Sequence, residues 1–144
     1  MGCGFVKKEG GKSMMKTEFL KCNECGLVAE VVIPCHCNPP CTMVCCGKPL
    51  QHLTGNTTDG AKEKHVPVAL CEGHGTRVKV GSVLHPATME HHIVWIEMQQ
   101  DDLIMRRFIT PGQEPDVFFP MELKPGTVLR EYCNLHGLWT YTVQ

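Results

Sequence analysis

Several features that would assign a function class are missing from this sequence of 144 residues. Lysines and arginines number 14 against 15 aspartates and glutamates, so no excess of basic residues points to nucleic acid. No apolar run approaches the roughly 18 residues that a membrane-spanning helix needs. The first 16 residues carry charges and glycines instead of the apolar stretch of a secretion signal, and we therefore expect a cytoplasmic protein.

Helical periodicity is also lacking, since no segment of about 12 residues keeps its apolar side chains on one helical face. Short apolar and β-branched runs occur instead, separated by turn signals such as Thr110-Pro111-Gly112 and Lys124-Pro125-Gly126. These runs are Ile93–Ile96, Leu103–Met105, Phe108–Thr110, Val128–Leu129 and Leu138–Val143. The pattern predicts an all-β fold, a sandwich or a barrel, for residues 51–144.

Residues 1–17 predict an N-terminal tail, because they are rich in glycine and lysine and have no periodic apolar pattern. Within them, Glu9-Gly10-Gly11-Lys12 resembles a translated ribosome-binding site. We therefore expect the natural start of the protein at Met14 or Met15.

The sequence is rich in cysteine, with 10 residues, and contains eight histidines. Reducing compartments keep thiols unpaired, so clustered cysteines in a cytoplasmic protein indicate metal or redox chemistry. Buried, chemically inert thiols are the alternative that composition leaves open. The spacing of the cysteines separates these two interpretations.

Four cysteines in two short loops predict a metal site within residues 18–50. They are Cys22, Cys25, Cys45 and Cys46. A two-residue spacer lets both sulfurs of the first pair face one ion, and Gly47 permits the positive φ that closes the second loop. Four soft thiolates select zinc or iron, and spacing does not separate these metals.

A further cysteine-rich segment, Cys35-His36-Cys37-Asn38-Pro39-Pro40-Cys41, lies between the two pairs. It is either an additional metal site, for example an iron–sulfur cluster, or an inserted surface loop with free thiols. The sequence leaves both interpretations open.

Histidines concentrate in three segments of the β-rich region, namely Glu63–Val68, His85–His92 and Tyr132–Gly137. A single histidine in a β-domain is more often a hydrogen-bonded residue than a metal ligand. The spacing Cys133-x-x-His136 is more specific, since it lets a thiolate and an imidazole meet one ion.

Taken in order along the chain, these motifs resemble the desulfoferrodoxin-type, two-iron superoxide reductases. Cys22–Gly26 with Cys45–Gly47 resembles the desulforedoxin module, and the histidine segments with Arg130–Trp139 resemble the catalytic domain. The resemblance implies a small desulforedoxin- or rubredoxin-like metal module at 18–50, followed by an immunoglobulin-like β-sandwich at 51–144. It also implies a homodimer.

The same resemblance implies two metal centres. The four cysteines would hold the first iron, or zinc in its place. A catalytic iron would bind four imidazoles and one axial thiolate and keep a sixth position open, its ligands being His65, His85, His91, Cys133 and His136. The interval from Cys25 to Cys45 is longer than in the family, and His92 stands where the family has tyrosine, so we interpret His92 as a neighbour of the site.

The reaction implied by the resemblance is the reduction of superoxide by one electron and two protons to hydrogen peroxide, with a rubredoxin-like electron donor. Four neutral imidazoles and one thiolate leave ferrous iron with a net charge of about +1, which attracts an anion. Lys64 would guide superoxide and organise a proton-delivering water, and Glu63 would bind the oxidised iron. The alternative for Lys64 is an ordinary solvated lysine without a role in the reaction, and the alternative for Glu63 is a surface carboxylate.

Two other function classes are compatible with part of the sequence. A zinc-ribbon-type binding protein explains the four cysteines but not the ordered histidine motifs. An electron carrier would have iron at the first site and a coordinatively filled second site. Metal content, colour and reactivity with superoxide distinguish the three.

Overall fold

The computed structural model of the protein describes residues 17–56 and 62–144. The predicted tail therefore lies outside the described residues except for Thr17, as do the expected start residues Met14 and Met15. Contacts divide the described chain into two compact units, one that ends at Thr54 and one that begins at Gly55. Within these ranges, no helix is long and apolar enough to cross a bilayer.

The first unit consists of five short strands. They are β1 (Glu18–Lys21), β2 (Val28–Val31), β3 (Val44–Cys45), β4 (Lys48–Pro49) and β5 (Gln51–His52). The antiparallel sheet has the order β2-β1-β5, and β3 and β4 form a separate hairpin. We predicted that this unit ends at residue 50, but it continues to Thr54. The reason is that Leu20 pairs with His52, and the Leu53 N–H donates to the Phe19 carbonyl at 2.8 Å.

The second unit is a two-layered antiparallel β-sandwich, preceded by one helical turn. Its elements are α1 (Lys62–His65), β6 (Pro67–Glu72), β7 (Gly75–Val80), β8 (Ile93–Gln100), β9 (Leu103–Phe108), β10 (Asp116–Phe119), β11 (Val128–Cys133) and β12 (Gly137–Thr142). One sheet has the order β10-β7-β6 and the other β12-β11-β8-β9. The predicted all-β fold with little helix is confirmed.

The core of the sandwich lies between its two sheets. It consists of Val78, Val80, Ile93, Ile96, Met98, Ile109, Phe119, Leu129 and Cys133. Side chains alternate between the two faces of β8: Ile96 and Met98 point into this core, and Glu97 lies on the other face. Glu97 is nonetheless fully buried, and hydrogen bonds donated by Arg106 and Arg130 compensate the burial of its carboxylate. Cys133, the last residue of β11, is part of this core.

Candidate metal centres

His65 is positioned by the single turn α1 and by the loop that follows β7. The Val66 N–H donates to the Lys62 carbonyl at 2.9 Å, and the Val83 N–H donates to the Glu63 carbonyl at 3.0 Å. The imidazole is 1% exposed, and it stacks on Trp139 with ring centroids 4.8 Å apart. Backbone hydrogen bonds and an aromatic platform together fix the direction of this ring.

His85 and His91 lie on the irregular segment that joins β7 to β8. The Pro86 carbonyl lies 2.7 Å from His85 Nδ1, so that nitrogen carries the proton and Nε2 keeps its lone pair. His85 Nε2 lies 3.2 Å from His65 Nε2. The His91 N–H donates to Thr88 Oγ1 at 3.1 Å, which holds the backbone of His91 in place.

Cys133 and His136 flank the turn between β11 and β12. The pairing of β11 with β8 shifts register between Tyr132 and Cys133, an irregularity that re-aims the last side chain of the strand. Cys133 is fully buried, and its Sγ lies 3.7 Å from His136 Nδ1. His136 Nδ1 in turn lies 2.9 Å from His65 Nε2.

The structure brings all five sequence-predicted side chains of the second centre together. The potential ligand atoms of four of them lie within 4.8 Å of one another, namely those of His65, His91, Cys133 and His136. His85 adjoins this group through its contact with His65. The arrangement therefore brings four imidazoles and one sulfur into a single cluster.

The donor atoms of this centre do not all satisfy one another by hydrogen bonds, and a metal ion would satisfy them. His91 Nε2 is buried and has no hydrogen-bond partner among the described residues. An unsatisfied buried nitrogen is costly, and an ion that accepts its lone pair removes the cost. Imidazole with thiolate is a donor set that suits iron, zinc or copper.

Burial shifts the pKa values of three ligands of this centre, His85, His91 and Cys133. It lowers the pKa of His85 to about 4, with smaller contributions from the neighbouring histidines. It also lowers the pKa of His91, to which the charges of His136 and His65 add. The imidazoles of His85 and His91 are thereby held neutral, the form that binds metal. Burial raises the pKa of the Cys133 thiol, so a metal ion has to displace a proton there.

Lys64 and Glu63 precede His65 in α1. Lys64 is half-buried, and its positive charge contributes to the lowered pKa of His91. The Glu63 side chain is exposed. His92 Nδ1 lies 3.1 Å from the Thr88 carbonyl, and His92 is not in the ligand group.

Sequence reasoning missed Asn134, which joins two of the ligand-bearing segments. Its Nδ2 donates to the Glu90 carbonyl at 2.9 Å, and its Oδ1 accepts from the His92 N–H at 2.9 Å. Asn134 thus fixes the Cys133 turn against the segment that carries His91. Its position between Cys133 and His136 could have indicated this role, since asparagine side chains commonly form hydrogen bonds with backbone groups at turns.

The four cysteines of the first unit form a second group of donors. The sulfurs of Cys22, Cys25, Cys45 and Cys46 lie within 4.8 Å of one another, with Cys25 and Cys45 at 3.6 Å. Gly26 and Gly47 have φ of +77° and +74°, and the value at Gly47 is the positive φ predicted for the second loop. Cys46 itself has φ +53°, which lets two adjacent cysteines direct their sulfurs to one point. The backbone N–H of Cys25 lowers the pKa of Cys22 to about 7 and so favours its thiolate.

Comparisons with known proteins identify relatives of this chain. The sequence profile of the desulfoferrodoxin family matches residues 57–142. The chain is 47% identical over 125 residues to the desulfoferrodoxin of Syntrophotalea carbinolica, which covers 87% of this chain and 95% of that protein. It is 43% identical over 123 residues to a desulfoferrodoxin homolog of Methanothermobacter thermautotrophicus, covering 85% of this chain and 95% of that one.

A solved structure agrees with these sequence matches. The superoxide reductase from Treponema pallidum superposes with a TM-score of 0.66 at 30% identity, covering 89% of this chain and 100% of that one. Profile, sequence relatives and structure therefore agree, and the chain belongs to the desulfoferrodoxin family.

Proposed function

We propose that this protein is a superoxide reductase, which converts superoxide to hydrogen peroxide by the addition of one electron and two protons. The observation that carries the proposal is the convergence of four imidazoles and the Cys133 sulfur, with His91 Nε2 buried and unpaired among the described residues. Iron bound by these side chains would supply the electron. The name of the Treponema pallidum structural neighbour supports the same activity.

The charge of the centre suits an anionic substrate. The lowered pKa values of His85 and His91 keep their imidazoles neutral, so the thiolate of Cys133 is the one negative ligand. Ferrous iron held by these ligands would give the centre a net charge of about +1, which would attract superoxide. A set of several carboxylates or thiolates would repel it.

Lys64 adds a positive charge beside the centre. Its charge adds to the lowered pKa of His91, after burial and the charges of His136 and His65, which supports a position near the ligand group. In our proposal the ammonium group attracts superoxide and holds a water that delivers a proton. Glu63 has an exposed carboxylate and would be available to bind oxidised iron, which would carry one more positive charge than reduced iron.

Each turnover removes one electron from the centre, so an external one-electron donor has to restore it. We propose a small rubredoxin-like protein for this role and a homodimer as the working form, both on the family resemblance. Iron at the four-cysteine site would relay electrons. The proposed reaction does not require it, because the substrate reacts at the histidine centre.

The proposal is tested by mixing superoxide with the reduced, iron-loaded protein and following the decay of superoxide optically, with metal content measured on the same sample. We expect second-order consumption that is lost in His136→Gln. His74→Gln is the matched control, since this exposed histidine pairs with Glu122 and lies outside the ligand group. Iron-loaded protein that fails to consume superoxide, or equal rates in the two variants, would contradict the proposal.

A further inference from the structure

The segment between β2 and β3 holds a third group of metal-binding side chains. Potential ligand atoms of Cys35, Cys37 and Cys41 lie within 4.8 Å of one another. Cys35 and Cys41 are closest, with their sulfurs 2.9 Å apart, and the Cys37 N–H donates to Cys35 Sγ at 3.2 Å. Three cysteines separated by one and three residues have thus been folded so that their sulfurs meet.

This group is separate from the four-cysteine centre. That centre already contains four sulfurs, and none of the three loop cysteines belongs to it. The three thiols are also free, since none of them is in a disulfide bond. The loop cysteines are therefore available to a ligand of their own.

The dimensions of the group suit a single ion. With metal–sulfur bonds of about 2.3 Å, two sulfurs of a tetrahedral site lie about 3.8 Å apart. The ligand atoms of the group lie within 4.8 Å of one another, which is compatible with this distance, and Cys35 and Cys41 would have to separate by about 1 Å. All three side chains are exposed, so they have room for that rotation.

The chemistry of the donors limits the kind of ion. Three sulfurs exclude hard oxygen-preferring cations such as Mg²⁺ and Ca²⁺. Iron–sulfur clusters are usually held by four cysteines, and this group has three. Cys35 and Cys41 also line a cavity of about 510 Å³ together with Glu18 and His52, which leaves space for a small fourth ligand beside the sulfurs.

We propose that Cys35, Cys37 and Cys41 form a third metal site of this protein, which takes one thiophilic closed-shell ion of the Zn²⁺ and Cu⁺ class. The backbone N–H of Cys37 supports the site by donating to the Cys35 sulfur, which stabilises negative charge there. The proposal is independent of superoxide reduction, because it concerns a different set of ligands in the other compact unit.

The test compares the full-length protein with the variant Cys35→Ser/Cys37→Ser/Cys41→Ser. Both are reduced under anaerobic conditions with iron loaded, and are titrated with Zn²⁺ or with Cu⁺ against a competing chelator of known affinity. We expect the native chain to bind one more ion than the triple variant in at least one of the two titrations. Each single serine variant should bind that ion more weakly by more than about tenfold, since even outer-shell losses cost roughly 10–100-fold.

Two further measurements keep the result interpretable. Iron content and absorption of the other centres should be equal in the native chain and the triple variant, which shows that the variant folds. His36→Ala should retain the extra ion, because His36 lies in the same loop but not among the clustered ligands. The proposal would be overturned if the native chain and the triple variant bound the same number of Zn²⁺ ions and also the same number of Cu⁺ ions. A Cys35–Cys41 disulfide in protein kept reduced throughout would also overturn it, because two of the three sulfurs would then be bonded to each other and could not hold an ion.

Discussion

At the scale of single residues, the environment of each ligand determines its chemistry. Cys133 is the one thiol of the β-sandwich core, and burial raises its pKa. A buried thiol of this kind is inert until a metal ion displaces its proton. Its sulfur is also the one ligand of the centre that can donate substantial electron density to iron.

The first residue-scale prediction concerns this sulfur. Cys133→Ser should abolish the thiolate-to-iron charge-transfer band of the oxidised protein, because a serine oxygen is a much weaker electron donor than sulfur. The absorption spectrum after oxidation measures it. Cys37→Ser is the control, since Cys37 lies outside both the histidine centre and the four-cysteine centre. A band that survives in Cys133→Ser would remove Cys133 from the ligand set.

The second residue-scale prediction concerns electrostatic guidance by Lys64. Lys64→Ala should slow superoxide consumption by roughly two- to tenfold at low ionic strength, and the difference should shrink as salt screens the charge. The second-order rate constant measured over a series of salt concentrations tests this. Lys62→Ala removes the same charge from the same helical turn at an exposed position, and should have a smaller effect. An unchanged rate at low salt would exclude guidance by Lys64.

At the scale of elements, the centre depends on loops that are held against regular strands. The turn after β7 is the clearest case. Gly81 has φ +78°, and a Cβ built there would lie 2.7 Å from the Glu63 carbonyl oxygen and from Lys64 Cα. Its N–H also donates to the Val66 carbonyl at 3.1 Å. The absence of a side chain at Gly81 is what allows α1 to approach and deliver His65.

Gly81→Ala should therefore damage both stability and activity. We expect a loss of about 1–3 kcal/mol in the free energy of unfolding from the strained backbone, and slower superoxide consumption because α1 has to move. Denaturant unfolding and the superoxide rate measure the two effects. Gly126→Ala is the matched control, since its φ is +85° but nothing lies within 4 Å of the added Cβ. The control should lose stability and keep its rate; equal rates in both variants would show that α1 tolerates the displacement.

At the scale of the whole molecule, the two units differ in what stabilises them. The second unit has an extended hydrophobic core between two sheets. In the described part of the first unit, the buried hydrophobic side chains are those of Phe19, Leu20 and Cys22. So small a core cannot stabilise a fold alone, and a bound metal commonly supplies the difference.

The double variant Cys25→Ser/Cys46→Ser should consequently unfold the first unit and leave the sandwich folded. Both cysteines are exposed, so the substitutions remove ligands without creating cavities. Amide hydrogen exchange should show loss of protection in β1 and β2, with β8 and β11 still protected. Glu24→Ala, in the same loop, is the control for a change that spares the sulfurs. Persistent protection of β1 in the double variant would contradict a metal-dependent unit.

Much of this architecture could be predicted from the sequence, because it depends on local patterns. The runs from Ile93 and from Val128 are buried strands, β8 and β11, and the glycines at 112 and 126 have the positive φ expected of turns. The all-β fold and the clustering of cysteines followed from such patterns.

Other features depend on contacts that no local pattern contains. Strands β6, β7 and β10 were not predicted; in β7, the charged side chains of Arg77 and Lys79 interrupt the apolar run. The extension of the first unit to Thr54 depends on the pairing of β5 with β1. The hydrogen bonds of Asn134 and the meeting of the three loop sulfurs likewise arise only after folding.

The central claim is that the iron centre reduces superoxide and does not dismutate it. The most direct test is the product stoichiometry when superoxide is generated in the presence of the protein and an excess of electron donor. We predict one hydrogen peroxide for each superoxide consumed, with no oxygen formed. One hydrogen peroxide and one oxygen for every two superoxides would contradict the claim.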